Sequence, residues 1–496
     1  MKKISFITAI LLTAAQTVLS QTSSDALRYS RIDIGGSARY MGLSGAFGAL
    51  GADFTTTSAN PAGIALFKSS ELSITPAVNV GSVASMYNGT SGFDQRSVFY
   101  LGNAGVVLAS NLKTDPKKQG WRNVNFATGI NRINNFNFSY EMTGTNTTNS
   151  LLDTYVAEAN GINYKDIEND IYGDYAFDLY PAWWTYLLDF ANPTTVNEYI
   201  SPIAPGSSKL QTKNVDATGS MNEYVFSLGA NYNDRLYLGM TFGIPFIRYY
   251  ETAIYTEENI TGSDLKYFRI IDQLETSGTG FNFKLGFIYR ASDWLRLGAS
   301  FHTPSWFNSM KDNWKVTMSS EFYTPDPDGF TRYKETSPTG SYTYRLQTPM
   351  RAQGSMAFII GNVGLVSAEY EFADYASARL DASDYSFSDE NRAIRNSYTG
   401  SHNVRIGTEW RYNIFSFRAG GKYFTTPYKS NINDASKLGF SAGAGLRQGW
   451  FFMDLAYAFS QSGSDYYFYN TPAAATNPVS NNIRSHSVLL TVGAKL

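Results

Sequence analysis

From about residue 71 onward, the chain is dominated by stretches in which every second residue is apolar. In one of them Leu438, Phe440, Ala442, Ala444 and Leu446 share a face, while Lys437, Gly439, Ser441, Gly443, Gly445 and Arg447 share the other. A turn at Gln448-Gly449 follows, and Phe451, Met453, Leu455, Tyr457 and Phe459 then alternate with Asp454, Ala456, Ala458 and Ser460. Successive side chains of a strand point to opposite faces, so an apolar row beside a polar or glycine row reads as lipid on one side and water on the other. One such hairpin also suits a soluble sandwich with a single buried face.

The rest of the chain separates the two readings. Alternating segments lie near 71–80, 97–110, 121–142, 220–232, 235–250, 276–290, 294–303, 342–360, 363–379, 398–411, 414–426, 436–447, 450–461 and 484–496. Their number is even, as closed bacterial barrels require, and a crossing needs only about 9–11 residues, so many should project beyond the membrane. Asn233-Asp234, Ala291-Ser292-Asp293, Gly361-Asn362, Tyr412-Asn413 and Gln448-Gly449 read as tight turns, with one longer polar loop between each consecutive pair. Short turns on one side and long loops on the other belong to outer-membrane barrels; a Greek-key sandwich has no reason to obey this parity. The expected fold is therefore all-β, a 14-stranded antiparallel transmembrane β-barrel. In its last strand His486, Val488, Leu490, Val492, Ala494 and Leu496 alternate with Ser487, Leu489, Thr491, Gly493 and Lys495, like the terminal signal read by the outer-membrane insertion machinery.

Composition agrees. Lys2-Lys3, a mostly apolar run from Ile4 to Leu19, and Ser20 read as a signal peptide over residues 1–20, giving export to the outer membrane of a Gram-negative cell. The chain has no cysteine, hence neither disulfides nor a lipidated cysteine, and a net charge of -2 gives no electrostatic support for nucleic acid. Mean hydropathy is only -0.25, as suits strands half wetted. No cofactor or metal is expected.

Two stretches break the alternation. Residues 21–70 are rich in Gly and Ala, with a short helix expected near Tyr40 to Leu50. A barrel of about fourteen strands is too wide for wall side chains to fill, so this segment reads as a plug ahead of a barrel over 71–496. The runs Gly36-Ser37-Ala38-Arg39, Met41-Gly42, Gly45-Ala46-Phe47 and Asn60-Pro61-Ala62-Gly63 resemble the N-terminal hatch of the FadL family of long-chain fatty-acid transporters, and the hairpins and strand count are similar to that family too. The resemblance implies a hatch inside the lumen, hydrophobic ligands captured outside, an inner pocket, and sideways release through a gap in the wall. Asn60, Pro61, Ala62 and Gly63 are then the candidate hatch and gating residues; a simple turn before the first strand is the alternative.

The second break, 143–219, must be extracellular if the parity holds. Ser150 reads as the cap of one helix, and Trp183, Trp184, Tyr186, Leu187, Leu188 and Phe190 fall in another, either as a greasy capture groove or as the loop's own core. On the polar strand faces Lys284, Arg296, Arg351, Arg405 and Arg418, with Lys422 and Lys437, outnumber Glu369, Glu371, Glu409 and Asp454. A cationic lumen would favour an amphipath with a carboxylate; ladders of paired Arg and Glu bracing the wall are the alternative. His302, His402 and His486 are scattered and lie in no nucleophile motif, so catalysis is not expected, although one could ligate haem iron. Asp326-Pro-Asp328-Gly329 lacks the closing glutamate of a calcium loop and reads as a turn.

The expected function is passive uptake of hydrophobic molecules, long-chain fatty acids first, by a monomer whose partners are the ligand, outer-membrane lipid and lipopolysaccharide. Hemin or aromatic-compound transport by the same architecture, and a surface adhesin or structural barrel, are the rival readings.

Overall fold

A computed structural model describes residues 22–112, 119–192, 194–429 and 432–496; the segment read as a signal peptide lies outside them. Fourteen antiparallel crossings close into one barrel. In chain order they are β1 (Glu71–Tyr87), β2 (Thr90–Asn111), β3 (Trp121–Asn135 continued by Phe138–Asn146), β4 (Lys209–Tyr232), β5 (Leu236–Glu258), β6 (Leu265–Arg290) and β7 (Leu295–His302 continued by Trp306–Phe322). Then come β8 (Arg332–Thr336, Gly340–Gln347 and Arg351–Ile360), β9 (Gly364–Asp374 and Arg379–Asp381), β10 (Gly400–Tyr412), β11 (Phe415–Phe424), β12 (Lys437–Gln448), β13 (Phe451–Tyr466) and β14 (Val479–Lys495). Each pairs with its sequence neighbours, and β1 closes on β14 from Glu71↔Lys495 to Met86↔Ser480.

The alternation is realised as expected near the turns. Leu228, Met240, Leu285, Phe301, Met356, Ile406, Phe417, Leu438, Leu455 and Val488 are exposed on the outside and form an apolar band. Trp121, Trp294, Trp410, Tyr412 and Trp450 lie exposed at or beside the turn ends, the place of an interfacial aromatic girdle. Asn233 and Asn413 take positive φ of 56° and 54°, which the tight hairpins require.

Two details differ from the sequence reading. The strands run further on the loop side: Lys209–Gly219, which reads as polar loop, is the outer part of β4. Beyond the membrane both faces meet water or loop, so nothing there imposes a period of two. The first loop-side connection is also tight, since Asn88 and Gly89 (φ 46° and 83°) join β1 to β2 directly.

Residues 22–70 fill the lumen. The order is α1 (Ser23–Ser30), an extended stretch, α2 (Ala38–Gly42), and two 3-10 turns, Phe54–Thr57 and Pro61–Leu66. The helix expected to reach Leu50 ends at Gly42, because Ser44 and Gly45 adopt φ of 52° and 82° and reverse the chain.

Wall glycines make room for this plug. A Cβ on Gly239 would lie 2.2 Å from the Pro61 carbonyl carbon, one on Gly286 1.9 Å from Asn60 Oδ1, and one on Gly298 2.4 Å from the Gly48 oxygen. Gly105 faces Phe54, and Gly407 and Gly420 face the Leu43 backbone. The glycines on the inner strand faces thus form a seat on which the plug backbone rests directly.

On the loop side α3 (Leu152–Ala159), α4 (Tyr164–Glu168) and α5 (Leu179–Trp184) make a lid. Its Leu152, Ile167, Leu179, Leu187 and Leu188 share one apolar core with Tyr87 of β1, Phe268 of β6 and Val479 of β14. Ser150 Oγ donates to Glu257 (2.6 Å) and Ser320 Oγ to the Thr185 carbonyl (2.6 Å), tying the lid to β5 and β7. Asp178 caps α5, and burial pushes its carboxyl up to about 6. A raised carboxyl favours the docked lid below its unfolded value of 3.8, and that stabilisation disappears as pH rises through about 6. The protection factor of α5 amides, taken against the intrinsic exchange rate at each pH, should therefore be larger at acid than at neutral pH, and Asp178→Asn should flatten the dependence while keeping the cap. A wild-type protection factor that does not change between the two pH values would refute this.

Candidate functional site

Among the described residues, the ladder between β2 and β3 is incomplete. The β2–β3 ladder runs from Asn111↔Asn123 only to Asn103↔Asn131, and residues 90–102 pair with β1 alone. β3 bulges between Arg132 and Asn134 and is interrupted at Phe136-Asn137, opposite Gly219, whose φ of 136° suits glycine. Higher up the strands meet again, through Ser139 and Asp94 and through Asn88 Nδ2 on the Thr145 carbonyl (2.9 Å). What remains is a window between 95–102 of β2 and 132–138 of β3.

The plug crosses this window from inside. Asp33 N donates to the Ile133 carbonyl (2.9 Å), Gly35 N to the Arg132 carbonyl (3.0 Å), and Asn134 Nδ2 to the Arg31 carbonyl (2.8 Å). The plug backbone and the Asn134 amide thus occupy the β3 edge that β2 leaves unpaired, while Asn137 Nδ2 reaches the Gly219 carbonyl of β4 (3.0 Å) on the other edge of β3. Beside the window lies a cavity of about 230 Å³, bounded by Asp33, Tyr40 and Met41 of the plug, Tyr100, Arg132 and Asn135 of the wall, and Lys422 and Lys437 opposite. The Arg132 guanidinium sits 4.6 Å from the Tyr100 ring centre, and its Nε and one terminal nitrogen have no hydrogen-bond partner. On the lipid side Phe99 is 74% exposed and Leu101 39% exposed. The sequence reading does not locate this opening; its signal is the asparagine run in Ile133-Asn-Asn-Phe-Asn-Phe138, inside a segment that otherwise alternates.

Asn60, Pro61, Ala62 and Gly63 lie buried at the seam between plug and wall. Asn60 Nδ2 donates to Gly48 O (2.6 Å) and to Phe287 O of β6 (3.2 Å), and its Oδ1 accepts from Ala62 N (3.1 Å). Pro61 opens the second 3-10 turn, where a free N–H is not needed, and Gly63 packs so close to Thr56 that a Cβ would lie 2.7 Å from it.

The five lumen cations are each engaged. Arg418 bonds Glu409 (2.7 Å) and Asp454 (2.6 Å), Arg405 bonds Glu369 (2.8 Å) and Glu371 (3.3 Å), and Arg351 bonds Glu371 (3.3 Å) and the Ser30 carbonyl (2.6 Å). Lys284 pairs with Glu223, which also accepts from Ser58 Oγ (2.6 Å), and Arg296 donates to the Leu50 carbonyl (3.2 Å). Arg39 of α2 completes the set on Glu409 (2.9 Å), and Asp33 bridges Lys422 (2.8 Å) and Lys437 (2.9 Å). The pairs of Arg418, Arg405 and Lys284 with carboxylates brace strand against strand, whereas the contacts through Arg39, Asp33, Ser58, Ser30 and Leu50 fasten the plug to the wall.

Of the lid residues, Leu187 and Leu188 are buried, and Trp183 packs edge-on between Phe190 and Tyr199. Trp184 and Tyr186 are 45% and 54% exposed. Tyr186, Leu187, Leu188 and Phe190 lie beyond the helix, which stops at Trp184; Tyr186 has a φ of 55°. His302 Nε2 is taken by the Ala59 carbonyl (2.7 Å), whereas His402 and His486 bond the Tyr370 and Tyr457 hydroxyls and do not line the lumen cavity. Asp326 to Phe330 form a turn closed on Asp326 Oδ1, and no cluster of metal-ligating side chains occurs among the described residues.

None of the known protein families matches the chain, and none of the curated proteins does. Solved structures do. A Pseudomonas aeruginosa FadL homologue superposes with TM-score 0.54 at 12% identity, covering 93% of this chain and 98% of that one. The P. putida toluene transporter TodX gives 0.51 at 11%, covering 94% and 99%, and the Ralstonia pickettii toluene transporter TbuX 0.50 at 13%, with the same coverage. The chain therefore shares the fold of these solved structures.

Proposed function

We propose that the protein is an outer-membrane channel for passive uptake of hydrophobic small molecules. Ligand passes beneath the lid, rests in the cavity above the plug, and leaves sideways into the bilayer through the window between β2 and β3. The window carries this reading. Backbone left unpaired at membrane depth costs several kcal/mol per group, so it persists only where protein or a cavity covers it. Here a plug segment covers it on the lumen side and apolar side chains flank it on the lipid side. The signal segment 1–20 would deliver the chain to the outer membrane, and no covalent chemistry is required.

Two kinds of cargo fit. Likeness to two toluene transporters, together with a lumen whose cations are held by carboxylates, favours neutral aromatic hydrocarbons. The unpartnered nitrogens of Arg132 favour the second reading, a long-chain fatty acid whose carboxylate meets Arg132. Hemin has weaker support, because the one lumenal histidine already bonds Ala59.

Asn135→Trp would fill the window from the cavity side. In a host lacking its own channel of this type, uptake of labelled toluene and of labelled oleate should be measured at equal surface abundance. The favoured cargo should enter through the wild type and fall by roughly tenfold in the variant, the loss expected if access through one aperture limits flux. Equal uptake of both cargoes by variant and wild type would eliminate the lateral route.

A further inference from the structure

We propose that the periplasmic seam between plug and wall is a binding site for a phosphate group. A cavity of about 230 Å³ lies there, separate from the one at the window, and reaches the turn Gly361-Asn362. Its lining carries four cationic side chains, Arg39 and Lys68 from the plug side and Arg296 and Arg411 from the wall, and no carboxylate.

The charges are poorly compensated. Glu409, which pairs with Arg39 (2.9 Å) and Arg411 (2.8 Å), is also shared by Arg418 (2.7 Å). Arg296 makes a single hydrogen bond, to the Leu50 carbonyl, and its buried Nε has no partner. Lys68 makes no ion pair among the described residues. A buried guanidinium donor without an acceptor is costly, and converging guanidinium groups match the geometry and charge of phosphate. A carboxylate supplies one negative charge and two oxygens; phosphate offers up to two charges and oxygens in several directions.

The position suggests what binding would do. Arg39 and Lys68 flank the plug while Arg296 and Arg411 belong to β7 and β10, so a phosphate in the cavity would tie plug to wall at the periplasmic mouth. The group could arrive as the head of an inner-leaflet phospholipid, since exposed Ile360, Val363 and Trp410 lie beside the cavity on the lipid face, or as free phosphate.

Arg296 and Lys68 hold no carboxylate, so the double variant Arg296→Gln, Lys68→Gln removes two charges without stranding a buried acid. The full-length barrel, folded in detergent and verified by heat-modifiable migration, would be titrated with inorganic phosphate against chloride at equal ionic strength. Phosphorus NMR and thermal unfolding give the readouts. Phosphate should bind the wild type and bind the double variant more weakly by roughly tenfold or more, as loss of charged hydrogen bonds predicts. In a second arm, nanodiscs of phosphatidylglycerol without free phosphate test the lipid source: a lipid retained through delipidation by the wild type and lost from the variant assigns the headgroup, and a response only to inorganic phosphate assigns the free ion. No preference for phosphate over chloride together with no retained lipid, or equal binding by variant and wild type, would overturn the site.

Discussion

Gly239→Val should convert a plugged barrel into a leaking one. The new Cβ would fall 2.2 Å from the Pro61 carbonyl carbon and 2.3 Å from Ala62 N, so the obstacle is backbone and cannot rotate away. Overpacking costs about 1–3 kcal/mol, and the upper figure changes the ratio of seated to unseated plug by more than about 100-fold. Valine is a good strand residue, so the barrel itself should still form. Ion conductance in planar bilayers should rise from its closed baseline, while heat-modifiable migration stays that of the wild type. Gly354→Val is the control: its Cβ meets nothing within 4 Å, and the channel should stay closed. Conductance of Gly239→Val matching that control would mean that the glycine seat does not hold the plug.

Glu409→Gln should loosen the plug by a different route. The Glu409 carboxylate is buried and carries Arg39, Arg411 and Arg418. Removing one member of such a network leaves buried charge uncompensated, typically about 3–5 kcal/mol. Arg418 keeps Asp454 at 2.6 Å, so the loss falls chiefly on Arg39, and thus on α2 rather than the wall. Proteolysis of the plug should begin at lower denaturant than in the wild type, with barrel unfolding shifted much less. Replacing Arg39 and Glu409 together by Met and Leu should recover much of the loss, because an apolar pair strands no charge on the plug. Identical plug proteolysis in Glu409→Gln and wild type would show that the network contributes nothing to seating.

The barrel was legible in the chain because lipid imposes a period of two on every crossing, as in Leu438 to Leu446. The plug was legible as the place where that period fails. Other features depend on contacts between distant segments, which one strand's pattern does not carry. Lys284 and Arg405 read as free cations until Glu223 and Glu369 are brought beside them from other strands. Leu187 and Leu188 read as part of a greasy surface until Phe268 and Val479 close over the same core. The inner-face glycines read as polar filler, since a missing side chain says nothing about what occupies its place. The window is the hardest case: a hydrogen-bond ladder that stops leaves no mark in hydropathy, only the asparagine run Asn134, Asn135 and Asn137 inside an otherwise alternating segment.

The plug precedes β1 in the chain, and β1 is the strand that closes on β14, with Leu496 N bonded to the Ser70 carbonyl at the very junction. This order constrains biogenesis. The plug is joined to the first edge of the unrolled sheet and lies wholly inside the finished cylinder, so it has to be gathered in before the two edges meet, or else thread a pore already narrowed by the lid. The last event of insertion is then expected to be the zipping of β1 to β14 around a plug already resting on its glycines, with the plug serving as the mandrel on which the cylinder is rolled.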